Sequence, residues 1–329
     1  MPNAISAAEF SGLMQGLGPL PGSHFAVAVS GGADSTALLL LAAGWAKAHG
    51  HTLAALTVDH GLRAEAAAEA RQVASWCEKL SIPHQTLTWQ PPTRTTALQE
   101  QARLARYGLM KDWCKKHGFT ALLTAHHLGD QAETLFFRLA RGSGLDGLAG
   151  IHPVSELSGI TLLRPLLCVP KTRLIATLKA AAQEWLEDPS NQKPHYTRNR
   201  IRHMLAATGQ QEALEQRAFV VSQKLLAFRE ALERGQEESI QSCVTAGAYP
   251  GTLMLDYATF AKLQPGYGLR VLAEALKDVG GAAYKARTHK LERLYSELRQ
   301  GFPSTRRTLG GCILEPKKRH KAIFIYPEN

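Results

Sequence analysis

The segment Ser30-Gly31-Gly32-Ala33-Asp34-Ser35 brings two adjacent glycines, two hydroxyls and a carboxylate into one turn between two apolar runs. A glycine pair lets the chain bend sharply and lay bare N–H groups against an anion, and a helix starting there points its positive end at the same place. The chemistry implied is phosphate binding, with Ser30, Ser35 and Thr36 as added hydroxyl donors. No lysine stands in the turn, so it is not the Gly-x-x-x-x-Gly-Lys-Ser/Thr cradle for a terminal phosphate. Gly-Gly alone reads equally as a plain strand-to-helix connection; the full Ser-Gly-Gly-x-Asp-Ser unit is far more specific.

A second constellation is His126-His127-Leu128-Gly129-Asp130-Gln131-Ala132-Glu133. With a helix starting near Asp130, Glu133 lies one turn on and faces the same side, giving two carboxylates at one mouth. Magnesium at ATP-using sites takes one or two carboxylates plus phosphate oxygens. The alternative is a cap, with Asp130 satisfying free N–H groups and Glu133 solvated. The two roles are compatible, and Asp34 at another strand end favours a shared site. His127 is a general base, an RNA contact or a structural loop residue. Asp59 and His60 close another apolar run, where related folds place an acid for ribose; Arg63 follows them. Arg103 and Arg106 share a helix face, suited to phosphate or to an ordinary wet surface. Arg198, Arg200 and Arg202 have no acid nearby in sequence, and such a cluster neutralises pyrophosphate or holds an RNA backbone.

These residues need elements to position them. Apolar stretches at 24–29, 52–58, 84–89 and 120–124 alternate with helical spacing at 35–48, 64–80 and 96–117. That alternation predicts an α/β fold: a doubly wound, mostly parallel sheet with ligands at the carboxyl ends of its strands. Beyond Gly150 a short extended piece at 162–166 and a helix over 170–183 precede the loop Glu187-Asp188-Pro189-Ser190-Asn191. Residues 210–238 suit one long helix. The rest reads as a smaller α+β domain, with helices at 267–278 and 284–299 and strands at 307–314 and 321–326 joined by a basic turn. The expected organisation is a catalytic domain over 1–209, a connector helix over 210–240 and a basic C-terminal domain over 241–329.

The chain of 329 residues carries a formal charge of +10, and residues 281–329 hold eleven Lys and Arg against four Glu. A polyanion such as RNA is the partner such a surface favours, a solubilising basic face being the alternative. No apolar run is long enough to span a bilayer and no leader pattern opens the chain, so the expectation is a cytoplasmic protein without membrane contact. The five scattered cysteines form no Cys-x-x-Cys pair, which argues against a disulfide framework or a zinc or iron–sulfur centre.

Ser30 to Ser35 resembles the PP-loop of the ATP pyrophosphatase superfamily, whose members adenylate an oxygen and release pyrophosphate. Further segments occur in order: His60-Gly61-Leu62-Arg63, Glu100 with Ala102-Arg103 and Arg106-Tyr107, His127 to Thr134, Arg141 to Leu148, Arg164-Pro165-Leu166, and Glu187 to Asn191 leading to Arg198-Asn199-Arg200-Ile201-Arg202. Together they resemble the bacterial tRNA(Ile)-lysidine synthetases over roughly residues 20–205, with Thr308 to Cys312 resembling the end of that family's C-terminal domain. The resemblance implies ATP and Mg2+ as cofactors, tRNA(Ile) with a CAU anticodon and free L-lysine as partners, and a reaction in two steps. ATP adenylates C2 of the wobble cytidine; lysine then displaces AMP to give lysidine, changing the codon read from AUG to AUA. It implies that Ser30, Gly31, Gly32, Ala33, Asp34, Ser35, Asp59 and His60 bind ATP, and that Asp34 and Asp130 organise magnesium. Glu133 would receive the lysine ammonium or take its proton, and Arg200 would steady developing charge. Arg63, Arg103, Arg106, His127, Arg198, Lys317, Lys318 and Arg319 would contact tRNA or substrate. One departure is Gly129, where many relatives carry an aspartate. A tRNA-thiolating PP-loop enzyme, an amide-forming synthetase and a noncatalytic RNA-binding module are the alternatives, and the sequence leaves a homodimer open.

Overall fold

The computed structural model describes residues 2–61, 66–89, 98–143, 145–187, 197–281 and 288–328. The chain divides into two units, Met1–Leu226 and Ala227–Asn329. The first is built from α1 (Ala7–Gln15), β1 (His24–Ala28), α2 (Ala33–His49), β2 (Thr52–Asp59), α3 (Ala66–Lys79), β3 (His84–Thr88), α4 (Leu98–His117), β4 (Ala121–Leu123), α5 (Leu128–Ala140), α6 (Leu145–Leu148), β5 (Val154–Glu156), β6 (Thr161–Leu163), α7 (Lys171–Ala180), α8 (Thr197–Ala207) and the first half of α9 (Gln211–Cys243).

The strands form one sheet in the order β3-β2-β1-β4-β6-β5, parallel throughout except for the antiparallel edge strand β5. Strand β1 is apolar on both sides because a central parallel strand is covered on both faces. Phe25 and Val27 enter one core with Leu38, Trp45 and Leu123, while Ala26, between them, enters the other with Leu56, Met110 and Leu122. This two-residue alternation feeds two helical layers from one strand. From β1 the chain order runs outward in both directions, which puts the topological switch point between β1 and β4. The two loops singled out for chemistry, 30–35 and 125–133, follow these neighbouring strands. The expected doubly wound, mostly parallel sheet is therefore the fold of this unit.

Helix α9 is the expected long helix, and Leu214, Ala218 and Leu225 on its first half pack with Ala132, Leu135, Ile201 and Leu205 of α5 and α8. The second unit carries the rest of α9, then β7 (Val244–Ala246), β8 (Leu253–Asp256), α10 (Tyr257–Phe260), α11 (Pro265–Gly280), α12 (Thr288–Gln300), β9 (Arg307–Leu309), β10 (Cys312–Lys317) and β11 (Ala322–Pro327). Its sheet is antiparallel in the order β7-β8-β11-β10-β9. The single strand expected over 307–314 is instead a hairpin: Gly310 and Gly311 take φ of 63° and 78°, the paired positive values a tight two-residue turn demands. The basic turn is a short 3-10 segment, Lys318–His320, and Lys317 beside it pairs with Glu315 at 2.9 Å. Among the described residues no helix is long and apolar enough to cross a membrane.

Candidate active site

A cleft of about 920 Å3 opens at the carboxyl ends of β1, β2 and β4. Ser30, Gly32, Ala33, Asp34 and Ser35 form one wall, Asp59 and His60 another, and His126 and Asp130 a third. The turn after β1 is held by its own hydroxyls: Ser35 Oγ donates to the Gly32 carbonyl at 3.0 Å and Thr36 Oγ1 to the Gly31 carbonyl at 3.1 Å. Ser35 Oγ also accepts the Ser30 N–H at 3.1 Å, so these hydroxyls brace the loop from within. The N-cap of α2 is Gly32, without a side-chain cap, so the positive helix end opens into the cleft. Gly31 has φ of 86°, and a Cβ there would meet Leu186 Cδ1 at 2.6 Å. Leu186 N–H in turn donates to the Gly31 carbonyl at 2.9 Å, pinning the segment around Trp185 and Leu186 over the turn.

The Asp34 and Asp130 carboxylates converge on one imidazole nitrogen: His127 Nε2 lies 3.6 Å from Asp34 Oδ2 and 3.7 Å from Asp130 Oδ2. His127 is the N-cap of α5, an unusual residue for that place. Its Nδ1 accepts the Gly129 N–H at 3.0 Å, which leaves the ring proton on Nε2, aimed at the two acids. Asp130 Oδ2 closes the box by accepting the His127 N–H at 3.0 Å. The cap expected as an alternative is thus present together with the paired acids. Burial pushes the Asp130 carboxyl up, but His127, His126, the His127 N–H and Arg202 outweigh it, and the net shift is downward. Asp34 Oδ1 is buried without a hydrogen-bond partner among the described residues.

Two further residues complete it: Lys171, which carries no mark in the sequence, and Arg202, which belongs to the basic cluster Arg198, Arg200 and Arg202 but finds a specific partner. Lys171, the first residue of α7, reaches Asp34 Oδ2 at 3.2 Å and lines the cleft. It supplies a cation beside a glycine turn that has no lysine of its own. Arg202 donates from Nε to Glu133 Oε1 at 2.6 Å, a short charge-assisted bond. Glu133 is buried rather than solvated, and burial raises its carboxyl above the usual range despite the opposing pull of Arg202. Arg200 lies exposed on the same helix as Arg202, which is the guanidinium bonded to Glu133.

The guanidinium carbons of Arg103 and Arg106 stand 5.2 and 5.6 Å from the Tyr107 ring centroid, and both residues line the cleft. Burial, with nearby Arg103, lowers the Arg106 guanidinium despite the opposing effect of Tyr107. Burial likewise drives His126 down to about 4, with Arg164, Arg103 and Arg106 adding to it against Asp130, so the ring is neutral; its Nδ1 is 2.9 Å from Thr124 Oγ1. Asp59 Oδ1 accepts the Gly61 N–H at 2.8 Å, fixing the turn that presents His60. Arg63 and the segment Asp188 to Asn191 lie outside the described residues, as does the side chain of Arg198. Lys317, Lys318 and Arg319 belong to the second unit.

Among the described residues no group of three or more His, Cys, Asp and Glu side chains could by itself hold a metal ion. Two carboxylates, one with an orphaned buried oxygen, fit Mg2+, which keeps several waters and takes its other ligands from phosphates.

The PP-loop domain family matches residues 5–208. The tRNA(Ile)-lysidine synthase of Methylobacterium nodulans is 42% identical over 303 residues, 91% of this chain and 89% of that protein. The tRNA(Ile)-lysidine synthase of Rhodopseudomonas palustris is 42% identical over 84% of this chain and 80% of its own length. Among solved structures, the U34-tRNA thiolase NcsA from Methanococcus maripaludis, with its 4Fe-4S cluster, superposes with a TM-score of 0.57 at 15% identity, covering 66% of this chain and 77% of its own; that likeness is one of fold.

Proposed function

Because the chain belongs to the tRNA(Ile)-lysidine synthase family, matching relatives across nine-tenths of its length, we propose that it joins L-lysine to C2 of the wobble cytidine of tRNA(Ile) with a CAU anticodon, at the expense of ATP. It acts as a ligase that forms a carbon–nitrogen bond and turns ATP into AMP and pyrophosphate. The observation that carries this is the convergence of Asp34 and Asp130 on His127 Nε2 at the mouth of a phosphate-binding turn.

In the first step the cytidine C2 oxygen bonds to the α-phosphorus of ATP and the bond to the β-phosphate oxygen breaks, releasing pyrophosphate. The Gly31-Gly32 turn and the open end of α2 bind the phosphates through N–H groups, with Asp59 and His60 on the nucleoside side. Asp34 and Asp130 would hold Mg2+, which would offset the phosphate charge. Lys171 neutralises the leaving pyrophosphate from the α7 side. In the second step the lysine ε-nitrogen bonds to C2, the C2–O bond breaks, and AMP departs with that oxygen. Glu133 takes the proton the amine loses: its buried carboxylate is a stronger base than an exposed one, and Arg202 keeps it ionised. Arg103 and Arg106 steady the anticodon backbone, and Lys317, Lys318 and Arg319 bind tRNA phosphates elsewhere. ATP, free lysine and tRNA meet in the cytoplasm, which is where we place the reaction.

A thiolation reading shares the adenylation step, but none of the five cysteines lines the cleft, and Cys77, Cys114, Cys243 and Cys312 are buried. The test is release of pyrophosphate from ATP on addition of tRNA, before lysine is supplied. Asp130→Asn keeps an oxygen able to accept the His127 N–H, so it should melt close to the parent while losing that release. An Asp130→Asn protein that still released pyrophosphate would remove Asp130 from the mechanism.

A further inference from the structure

The cleft has a second cationic wall, on the face of the sheet opposite the glycine turn. Leu38 and Trp45 of α2 pack with Phe25 and Val27, whereas Tyr107 and Met110 of α4 pack with Ala26, Leu56 and Leu122 on the other face. As the crossover between two parallel strands, α4 runs against their direction, so its earlier residues overlie the carboxyl ends. Arg103, Arg106 and Tyr107 line the cleft from there. Leu162 of β6 shares the core of Tyr107, and side chains two apart on extended chain share a face, which brings Arg164 to the same wall. The Arg164 N–H continues the strand pairing to the Pro153 carbonyl at 2.9 Å. Its neighbour across the sheet is Thr124, whose N–H donates to the Leu163 carbonyl at 2.9 Å and which lines the cleft.

Three guanidiniums thus gather without a counterion: among the described residues none of them forms an ion pair. Arg103 and Arg106 lie against the Tyr107 ring, which offsets part of the penalty of burial and leaves both charges in place. Arg164 Nη1 donates to the His152 carbonyl at 2.6 Å and to Ser155 Oγ at 3.0 Å, both neutral acceptors, and its Nε is buried with no partner. Burial lowers the Arg106 and Arg164 guanidiniums and nearby Arg103 adds to the effect; the group opposing it is the Tyr107 phenol, not a carboxylate. Like charges drawn together and half buried are unfavourable on their own, and an anion bound among them offsets that penalty.

We infer that Arg103, Arg106 and Arg164 bind one phosphodiester of the RNA, the one next to the nucleotide whose base enters the cleft. Planar guanidinium forks match phosphate oxygens. The three are graded in exposure as a strand entering from outside requires: Arg103 is exposed, and Arg106 and Arg164 are half-buried. ATP leaves this wall free, because its phosphates go to the glycine turn on the opposite face. The inference rests on the proposed function for the identity of the RNA. It goes beyond that reading by giving the backbone a defined binding place and by adding Arg164 to the residues that hold it.

The probe is a synthetic anticodon stem-loop of tRNA(Ile) in which each loop phosphate in turn is replaced by a neutral methylphosphonate, bound to the full-length protein. For the parent, neutralising one phosphate beside the wobble cytidine should weaken binding about ten- to hundredfold, the range of a hydrogen bond to a charged group. Arg164→Gln should weaken binding of the natural stem-loop by a similar factor. The same methylphosphonate should then cost this variant only a fraction of what it costs the parent, since both changes remove one contact. A merely structural role for Arg164 would weaken every stem-loop alike. Where Arg164→Gln does not fold, Arg103→Gln, at an exposed side chain, carries the same reading. Affinity for a non-hydrolysable ATP analogue and the Km for lysine should stay at the parent values in both variants. Losses that add at every phosphate would overturn the inference. So would weaker binding of the ATP analogue with RNA binding intact, which gives the wall to the nucleotide, or a raised Km for lysine with RNA binding intact, which gives it to the lysine carboxylate. A protein that bound the stem-loops as expected yet joined no lysine would strike the proposed function and leave the phosphate site standing.

Discussion

Replacing Arg202 by Met leaves the Glu133 carboxylate without its cation in a place where its side chain is 6% exposed. Removing one partner of a fully buried pair costs about 3–5 kcal/mol. Arg202 is itself 40% exposed, so water reaches the gap, and the expected loss is about 2 kcal/mol, in the range of a hydrogen bond to a charged group. For a unit of this size that corresponds to a drop in melting temperature of about 4 to 8 °C. The pH dependence follows from the direction of the Glu133 shift. Burial raises this carboxyl in the folded protein, so its contribution to stability is fully present below the unfolded carboxylate range and is lost as pH rises through the folded value. Without Arg202 the value rises further, and the variant suffers more at neutral pH than in mild acid. Thermal melts at several pH values should therefore show the gap between parent and Arg202→Met narrowing on acidification. Glu133→Gln combined with Arg202→Met, which removes both charges, should melt closer to the parent than Arg202→Met alone. Pyrophosphate release should largely persist in Arg202→Met while lysine incorporation falls, because only the second step uses Glu133. An Arg202→Met protein that melts like the parent at every pH would refute the reasoning.

Lys171→Met should slow pyrophosphate release by about tenfold, less than the roughly hundredfold or more lost with a buried donor to developing charge because the lysine is half exposed, with the Km for lysine unchanged. Gly31→Ala forces a side chain into a positive-φ position against Leu186, costing about 1–3 kcal/mol, and equilibrium dialysis should find ATP binding weakened with it. Exchanging Lys317, Lys318 and Arg319 for serine should reduce the slope of log affinity for tRNA against log salt by about 2 to 3, which titrations at several salt concentrations would measure.

The part of the site that lies within one stretch of chain was legible in the sequence. The Ser30 to Ser35 turn and the His127 to Glu133 segment each follow an apolar strand, and adjacent parallel strands bring their carboxyl ends together whatever lies between them. What depended on distant packing was not legible. Lys171 meets Asp34 across 137 positions of chain, and nothing local to the first residue of a helix after Pro170 marks it. Arg200 and Arg202 look equivalent in sequence, yet residues two apart on a helix point to different sides, and the side turned to α5 is Arg202. Histidine is not a common N-cap, so the role of His127 in holding α5 and joining the acids carried no capping signal. The Gly310-Gly311 hairpin, by contrast, had its signal in plain view, a glycine pair between β-prone runs, and the run of apolar residues around it concealed the turn.

The central claim is that this cleft adenylates a cytidine and passes it to lysine. Incubating the protein with ATP, radiolabelled lysine and tRNA(Ile) transcripts that differ only at the wobble base tests it most directly. The account predicts label retained on the transcript with cytidine at that base, at one AMP formed per lysine bound, and none on transcripts with another base. Label on every transcript, or AMP formation without lysine on the cytidine transcript, would contradict it.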